Sequence, residues 1–384
     1  MQNIRIIHVV LDEKFIDCAI EQFNKIDNLH NRYVYFRPVK NIRFKYIKNK
    51  TVIESFKTKE ELKNILCNSE YDILVLHSLT LSSSILLNIP KRIKVVWLSW
   101  GWDIYVDISQ KMVSSLPIKL SLYKPKTRKI LYSNFNSIIQ ILVESIYFFY
   151  RRKIMYGKMI QRIDYCSTVL PYEEKLLLKN KNYRAKYFHF RYGTSKGEIL
   201  NPFDLSSKFK GTNILLGNSA SPENNHLDII QLLQRLNINN RKIIVPLSYG
   251  DKTYRKIVVS SMKSLEFIPL LDFLPIEEYM NIVTSCSHVV MGHVRQQAIG
   301  NVFMALTRGC KLFLYKDSVT YLYLKSCGYY IYTIEDDLNI KELSEDLSDD
   351  QIIHNRKLAE DRLSYKKMID RLEKSIEIVM SNIG

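Results

Sequence analysis

An arginine and two glutamines stand where a predicted strand gives way to a helix in the second half of the chain. The segment 288–315 has the pattern of a strand, a tight turn, a helix and a second strand. Such a turn directs Arg295, Gln296, Gln297 and the first free helix amides to the sheet edge where open α/β sheets bind ligands. This pattern favours a diphosphate as the ligand. The alternative is that Arg295 only pairs with a surface acid.

A loop of small residues follows another predicted strand, within residues 215–227. Gly217, Asn218 and Ser219 would let a ligand approach the backbone closely at the mouth of a cleft between two domains. The loop contains neither G-x-G-x-x-G nor G-K-[ST], which excludes a dinucleotide fingerprint and a Walker loop. A purely structural turn is the alternative interpretation.

Two further candidates follow the next predicted strand, which ends near residue 247. Tyr249 offers a ring on which a nucleobase could stack, and Lys252 offers a charge for phosphate. A solvated turn would use the same residues, so both interpretations stay open.

All three tryptophans of the chain lie within residues 95–105, V-V-W-L-S-W-G-W-D-I-Y. Trp100 and Trp102 flank a glycine, and Asp103 and Tyr105 follow just beyond the carboxyl end of the predicted strand. Aromatic rings pack on the C–H faces of a sugar while a carboxylate bonds its hydroxyls, so the segment suits a saccharide. Core or interface packing is the commoner use of such tryptophans.

Two histidines also lie at or near the ends of predicted strands in the first half, His8 and His77. Imidazole can act as an acid or a base near neutral pH. Each histidine alone is more often a buried residue with satisfied hydrogen bonds, and this alternative also stays open.

The elements that position these residues alternate strand and helix through both halves, which implies parallel sheets with crossover helices. In the first half we predict strands at 4–11, 33–36, 72–77, 94–100, 166–170 and 187–190 and helices at 13–26, 58–67 and 80–87. In the second half we predict strands at 214–217, 242–247, 289–292 and 311–315 and helices from 222 and at 254–262, 275–286 and 297–308.

The chain therefore divides into two Rossmann-like, doubly wound α/β domains facing a cleft. We place the N-terminal domain at 1–205, with an insertion at 111–163, and the C-terminal domain at 206–348. Residues 349–384 form charged amphipathic helices, and we expect this tail to pack back on the N-terminal domain.

The insertion at 111–163 is strongly basic, with eleven Lys or Arg against one acid, Glu144. Its apolar run of 13 residues is too short to span a bilayer, which takes ~20 residues. Basic amphipathic segments bind anionic lipid surfaces, whereas the simpler alternative is a helical cover over the first sheet. The predicted membrane contacts are Lys124, Lys126, Arg128, Lys129, Arg151, Arg152 and Lys153.

Composition sets the remaining limits. A hydrophobic share of 46% and a charged share of 25% are those of a folded protein, and the net charge of +17 favours an anionic partner. The six cysteines are scattered and predict reduced core residues, and we expect no export signal.

Two other classes of protein share some of these features. A nucleic-acid-binding protein fits the charge, but no recognition module is present. A periplasmic binding protein fits the domain pattern, but not the expected location.

Taken together, the segments resemble glycosyltransferase family 56, which transfers N-acetylfucosamine from a TDP-sugar to a lipid-linked acceptor. The resemblance runs along nearly the whole chain, in order. The matching positions are Ile7-His8-Val9, His77, Trp97, Trp100, Gly101, Asp103, Tyr105, Leu216-Gly217-Asn218-Ser219, Asn225-His226, Val245-Pro246, Tyr249, Arg295-Gln296-Gln297 and Ile299-Gly300. Trp102 departs from the family, where a small residue is usual, and so could line the acceptor or sugar site.

The resemblance implies a GT-B fold, a dTDP-linked deoxy-amino sugar as donor and a polyprenyl-diphosphate-linked saccharide as acceptor. It places the enzyme at the cytoplasmic face of the bacterial inner membrane, in common-antigen or O-antigen synthesis, with no metal, cofactor or nucleic-acid partner. The implied donor residues are Gly217, Asn218, Ser219, Tyr249, Lys252, Arg295, Gln296 and Gln297. The implied acceptor residues are His77, Trp100, Trp102 and Tyr105.

For catalysis, Arg295 and helix dipoles would stabilise the departing diphosphate. If the anomeric carbon inverts, a base from the first domain must deprotonate the acceptor hydroxyl, and the candidates are Asp103, ranked first, and His8. A GT-B enzyme that uses a UDP- or GDP-linked sugar is an alternative that these residues leave open.

Overall fold

Two parallel sheets organise the chain, each within its own unit. The computed structural model describes residues 3–37, 43–67, 70–101, 103–105, 122–133, 139, 157–193, 208–209, 211–236, 238, 241–263 and 266–383. The first unit combines Met1–Ile108, Ile146–Glu198 and Leu363–Gly384, and the second combines Ser109–Ser145 and Ile199–Arg362.

The strands of both sheets pair in parallel throughout. The first sheet has the order β3-β2-β1-β4-β5-β6-β7 and the second β10-β9-β8-β11-β12-β13. In chain order the strands are β1 (Ile4–Val10), β2 (Leu29–Phe36), β3 (Ile53–Phe56), β4 (Ile73–His77), β5 (Lys94–Leu98), β6 (Tyr165–Ser167), β7 (Lys186–Tyr187), β8 (Asn213–Leu216), β9 (Ile243–Pro246), β10 (Phe267–Leu270), β11 (Cys286–Met291), β12 (Lys311–Leu314) and β13 (Tyr332–Thr333).

Helices connect the strands. In chain order they are α1 (Ile16–Phe23), α2 (Lys59–Leu66), α3 (Ser83–Leu86), α4 (Pro125–Leu131), α5 (Gly157–Gln161), α6 (Tyr172–Leu177), α7 (His226–Arg235), α8 (Lys252–Ser261), α9 (Ile276–Thr284), α10 (Ile299–Arg308), α11 (Val319–Ser326), α12 (Ile340–Ser344), α13 (Asp349–Leu363) and α14 (Tyr365–Met380). Short 3-10 turns lie at Lys50–Val52 and Pro222–Asn224.

Local sequence accounts for where several helices begin. The Thr58 hydroxyl accepts a hydrogen bond from the Glu61 amide while the Glu61 carboxylate accepts one from the Thr58 amide, a capping box that starts α2. Asp251 caps α8 and Ser318 caps α11 in the same way with one bond each. These caps leave the loops just before the helices in fixed positions.

The core of the first unit includes its C-terminal helix. Apolar side chains of β1, β4 and α1 pack with Leu372, Ile376 and Val379 of α14. The preceding helix α13 belongs to the second unit, where Ile352 lies against Gly309. The tail predicted as one piece at 349–384 is therefore divided at residue 362, and the division between the central parts of the two units falls at 198 rather than 205.

The basic segment predicted as part of the N-terminal domain is also divided. Its residues 111–145 belong to the second unit, where α4 packs on α7. The Asp228 carboxylate of α7 accepts hydrogen bonds from the amides of Lys126 and Thr127, 2.8 and 2.9 Å long. Ile130 and Leu131 pack against the second core. Assigning this part of the insertion to the first domain was wrong because its carboxylate and apolar partners lie in the second.

Candidate functional site

The loop after β8 is fixed by a glycine and an asparagine. Gly217 has φ +68°, and a Cβ there would lie 2.6 Å from Nε2 of His226 and 2.8 Å from Oδ1 of Asn224. The Asn224 side chain accepts from the Asn218 amide and donates to the Ser219 carbonyl, both at 3.1 Å. Glycine is therefore the residue that this turn allows, and the loop backbone is held from beneath.

The side chain of Asn218 connects three strand ends of the second sheet. Its amide nitrogen donates to the Tyr249 hydroxyl after β9 at 2.9 Å, and its oxygen lies 3.0 Å from Nε2 of His293 after β11. Because the Asn218 oxygen can only accept, His293 must carry its proton on Nε2. Burial lowers the pKa of His293 to about 3, so the ring is neutral. The sequence prediction missed His293, although it directly follows Gly292 at the same strand end.

Tyr249 is 55% exposed although its hydroxyl is held by Asn218. A ring that is fixed at one end and open on its face is suited to stacking. Lys252 is also exposed and is the first residue of α8, whose cap is Asp251. Both predicted donor residues are thus accessible at the carboxyl edge of the second sheet.

Arg295 lies at the turn between β11 and α10, as predicted. Its Nη1 donates to the Gln296 carbonyl at 3.0 Å, and its Nη2 lies 3.8 Å from Oε1 of Glu223 in the β8 loop. Arg295 therefore does pair with an acid, as the alternative interpretation expected. That acid, Glu223, belongs to the candidate donor site. This contact brings the two predicted donor segments together, and Glu223 was missed by the sequence prediction.

The N terminus of α10 completes the arrangement. Its cap residue Ala298 has φ +53°, and no side chain in the described ranges caps it. Oε1 of Gln297 is buried without a hydrogen-bond partner within the same ranges. A Cβ on Gly300 would have no atom of the described structure within 4 Å. Free amides, an arginine and open space are the features of an anion site.

In the first unit, His8 and His77 form a buried chain of side chains. Nδ1 of His8 lies 3.2 Å from Nε2 of His77, whose Nδ1 lies 3.0 Å from the Tyr192 hydroxyl. Nε2 of His8 lies 3.1 Å from Oδ1 of Asn31. Burial lowers the pKa of His8 to about 3 and that of His77 well below its usual value. Neither ring is exposed to substrate, so the geometry disfavours His8 as the base and His77 as a direct acceptor contact.

Asp103 is 2% exposed and accepts from donors on both oxygens. Oδ2 accepts from the Ser78 hydroxyl at 2.9 Å, the Leu79 amide at 3.1 Å and the Trp97 indole at 2.9 Å. Oδ1 accepts from the Trp100 amide at 2.9 Å. Burial raises the pKa of Asp103, and these bonds oppose the rise. The carboxylate joins the loops after β4 and β5, which is a positioning role and corrects the general-base prediction.

The remaining acceptor candidates differ in accessibility. Trp100 is half-buried at the carboxyl edge, with its ring 5.0 Å from that of Tyr192. Tyr105 is only 6% exposed and lies in the core, so its predicted contact with an acceptor is wrong because its ring is covered by protein. Trp102 lies outside the described residues.

The predicted membrane residues also separate into groups. Lys124 is engaged within the second unit, as its ammonium lies 3.0 Å from Oδ1 of Asp317 and 4.1 Å from the Tyr315 ring centre. These contacts disfavour Lys124 as a lipid contact. Lys129 is exposed, and Lys126 and Arg128 are half-buried. The other three predicted contacts, Arg151, Arg152 and Lys153, lie outside the described residues.

Two absences hold for the residues that the structure describes. Among these no helix is long and apolar enough to cross a membrane. Nor do three or more His, Cys, Asp or Glu side chains in these ranges form a group that could hold a metal ion. Metal independence stays a prediction.

Comparison with known proteins gives a family match. The model of the family described as 4-alpha-L-fucosyltransferase glycosyl transferase group 56 matches residues 143–373, which include the Gly217 and Arg295 segments but not His8 or Asp103. No curated protein matches the sequence.

Solved structures share the fold at low identity. Sucrose-phosphate synthase from Thermosynechococcus elongatus aligns with TM-score 0.61 and 8% identity over 99% of this chain and 100% of its own. A glycosyltransferase from Rickettsia africae ESF-5 gives 0.60 and 12%, covering 99% of both chains. Anabaena HepE, in complex with UDP-glucose, gives 0.56 and 11%, covering 98% of this chain and 99% of its own. The predicted GT-B architecture of two Rossmann-like domains is confirmed.

Proposed function

Because this chain belongs to the family described as 4-alpha-L-fucosyltransferase glycosyl transferase group 56, we propose that it transfers a deoxy-amino sugar of N-acetylfucosamine type from a dTDP-sugar. The acceptor in this proposal is a polyprenyl-diphosphate-linked saccharide of bacterial surface polysaccharide synthesis. One observation supports the proposed donor site. Four side chains lie together at one edge of the second sheet, namely Asn218, Tyr249, His293 and Arg295. The chain is a glycosyltransferase, and the sugars, nucleotide and lipid are what we propose.

In this proposal the second unit binds the donor through its loops. Tyr249 stacks on the base, and Arg295 with the α10 amides neutralises the diphosphate as it departs with the electron pair of the broken bond. Glu223 now pairs with Arg295 and would compete with the phosphate for it. The charge that develops on the leaving group is met by these groups without a metal.

The choice of nucleotide is tested by thermal shift. A ligand that binds only the folded state stabilises it in proportion to the logarithm of its concentration over its dissociation constant. We expect dTDP to raise Tm more than UDP or GDP at equal concentration, and Arg295→Ala to abolish most of that shift. Arg235→Ala is the matched control, because Arg235 is exposed at the far end of α7. A larger shift with UDP or GDP would reassign the donor, and no shift with any nucleotide would remove the proposal.

We also propose peripheral attachment to the cytoplasmic face of the inner membrane. The net charge of +17 and the basic run at 151–153 support it, since each Lys or Arg near an anionic surface contributes ~1 kcal/mol. A polyprenyl-linked acceptor would place substrate and enzyme at the same surface. The alternative partner of such charge, nucleic acid, is disfavoured by the family to which the chain belongs.

A further inference from the structure

The carboxyl edge of the first sheet carries several acidic side chains, and most of them accept hydrogen bonds from neighbouring loops. The Asp12 carboxylate accepts from the amides of Lys45, Tyr46 and Ile47 at 2.7, 3.0 and 3.2 Å. Asp17 accepts from the next two amides in the same segment, and Asp103 accepts four bonds. These carboxylates hold loops in place. A substrate hydroxyl would have to displace these bonds to reach the carboxylate oxygens.

Glu13 differs from all three. It lies in the turn between β1 and α1, with its amide donating to the Leu11 carbonyl at 2.9 Å and its carbonyl accepting from the Ile16 amide at 3.1 Å. Its side chain is half-buried, and within the described part of the chain its carboxylate makes no hydrogen bond or ion pair. Burial raises its pKa, Lys14 opposes that rise and Asp12 adds to it. A half-buried carboxylate whose oxygens carry no donor from the described residues is open to accept a proton from a substrate hydroxyl.

The same β1–α1 turn carries one of three aromatic rings that lie close together. Phe15, two residues after Glu13, has its ring centre 5.6 Å from that of Trp100 and 6.2 Å from that of Tyr192. Trp100 and Tyr192 are 5.0 Å apart, and all three side chains are partly exposed. Tyr192 is held by its bond to His77, and the Trp100 backbone is held by Asp103. His77, predicted as an acceptor contact, and Asp103, predicted as a base, thus hold Tyr192 and the Trp100 backbone in place.

We infer that Glu13 is the general base of the transfer and that Phe15, Trp100 and Tyr192 form the surface on which the acceptor sugar lies. The inference rests on the proposed function and names the side chains that act on the acceptor. In this inference the rings cover the apolar C–H face of the sugar and leave its hydroxyls free to donate to Glu13.

The chemical step balances as a single displacement. The acceptor oxygen forms a bond to the anomeric carbon as its proton passes to the Glu13 carboxylate. The bond from that carbon to the diphosphate oxygen breaks, and the nucleoside diphosphate leaves with the electron pair. The configuration at the anomeric carbon inverts. Glu13 then returns the proton to solvent.

The test uses the full chain with dTDP-N-acetylfucosamine and a short-chain polyprenyl-diphosphate disaccharide. Glu13→Gln keeps size but removes basicity, and we expect the transfer rate to fall by ~100-fold or more, as loss of a general base commonly does. The thermal shift by dTDP should stay within ~1 °C of wild type, which shows that the second unit remains folded and binds donor. Glu60→Gln, an exposed acid in the first turn of α2, is the matched control.

A pH profile separates catalysis from structure. The wild-type rate should fall at low pH as one carboxylate is protonated, and this limb should be absent from the residual rate of Glu13→Gln. Trp100→Ala should raise KM for the acceptor by ~10-fold or more and Trp100→Phe should restore most of it, since a ring in contact with sugar contributes ~1 kcal/mol or more. A Glu13→Gln rate within threefold of wild type overturns the base, and an unchanged acceptor KM in Trp100→Ala overturns the surface. If wild type neither binds dTDP nor transfers sugar, the proposed function fails instead.

Discussion

The ammonium of Lys124 lies 3.0 Å from the Asp317 carboxylate and 4.1 Å from the centre of the Tyr315 ring. Its backbone amide donates to Oδ1 of Asn225 at 2.7 Å, and the Asn225 side chain also donates to the Gly292 carbonyl at 2.7 Å. Gly292 directly follows β11 and precedes the Arg295 turn. The start of the basic helix α4 is therefore attached to the backbone that carries the candidate donor site. The first positive charge of this segment, on Lys124, is paired within the protein.

This relationship predicts that Lys124→Gln affects stability and not lipid binding. Loss of a partly exposed ion pair and a cation–π contact should cost about 1 kcal/mol and lower Tm by a few degrees. Lys129→Gln, on the exposed side of the same helix, is the control and should leave Tm unchanged. Denaturant unfolding measures the difference.

The same variants, with a triple Gln variant at 151–153, test membrane attachment by vesicle co-sedimentation. Binding should require anionic lipid, weaken with salt and fall in the triple variant, while Lys124→Gln binds as wild type. Equal binding to neutral vesicles would contradict attachment through charge. A loss of binding in Lys124→Gln alone would show that the ion pair opens at the surface.

Asp103→Asn should destabilise the first unit without altering the pH dependence of turnover. The carboxylate accepts from four donors, and an amide nitrogen in place of either oxygen would face at least one of them. A buried donor left unsatisfied costs about 1–3 kcal/mol. Unfolding in urea should show that loss, with the low-pH limb of the rate unchanged in position. Wild-type stability together with loss of that limb would restore Asp103 as the base.

Much of the fold was predictable because the strands at the sheet centres are mostly apolar. β1, β4, β8 and β11 all fall within or beside their predicted ranges. β10 was missed because F-I-P-L contains a proline, which disfavours a strand in a sheet interior. Its place at the sheet edge explains how Pro269 is tolerated. Whether a strand lies at the edge depends on the order of strands in the sheet, and the local sequence does not determine that order.

The candidate site was predictable in location but not in role. Strand ends of a parallel sheet meet at one edge, so Asn218, Tyr249 and Arg295 could be placed together from spacing. The burial and the hydrogen-bond partners of each side chain could not be predicted from spacing. The carboxylate of Asp103, for example, accepts hydrogen bonds from Ser78 and Leu79, which lie at the end of a different strand. Which carboxylate remains unengaged depends on such distant contacts.

Acid should destabilise the protein because five histidines of the described residues are buried and neutral, and burial holds the pKa of one of them, His77, well below its usual value. Burial lowers the pKa of each of His8, His226, His288 and His293 to about 3. The unfolded chain takes up these protons below pH ~6.5 and the folded chain does not, so the free energy of unfolding falls as pH drops from 6.5 toward 3. At pH 5 each contributes a loss of about 2 kcal/mol.

His226→Leu should reduce this acid sensitivity. Both ring nitrogens of His226 are buried without a hydrogen-bond partner in the described ranges, so an apolar side chain of similar size removes the titration at little cost. The measurement is the difference in unfolding free energy between pH 7 and pH 5. His30→Gln, at an exposed position, is the control and should leave that difference as in wild type.

Alanine at two glycines of the candidate donor site should change the stability of the protein by different amounts. Gly217→Ala introduces a Cβ at φ +68° against His226 and Asn224, so stability should fall by ~1–3 kcal/mol and dTDP should no longer raise Tm normally. Gly300→Ala places its Cβ in open space, so stability should change by less than ~0.5 kcal/mol. If the diphosphate lies at the α10 N terminus, Gly300→Ala still weakens dTDP binding. A normal dTDP shift in Gly300→Ala would move the phosphates elsewhere.

Arg295→Ala should leave the protein folded and cut turnover by ~100-fold or more, the usual cost of removing one group that stabilises developing charge. Its guanidinium is half-buried, and its contacts are the Gln296 carbonyl and the Glu223 carboxylate, so the truncation opens no core cavity. Glu223→Gln separates the ion pair from catalysis, because it frees the guanidinium while keeping its neighbour's shape. If Glu223 competes with phosphate, Glu223→Gln binds dTDP more tightly than wild type and Arg295→Ala binds it more weakly. The measurement is dTDP titration by calorimetry beside steady-state rates. Near-wild-type turnover in Arg295→Ala would remove this residue from the site.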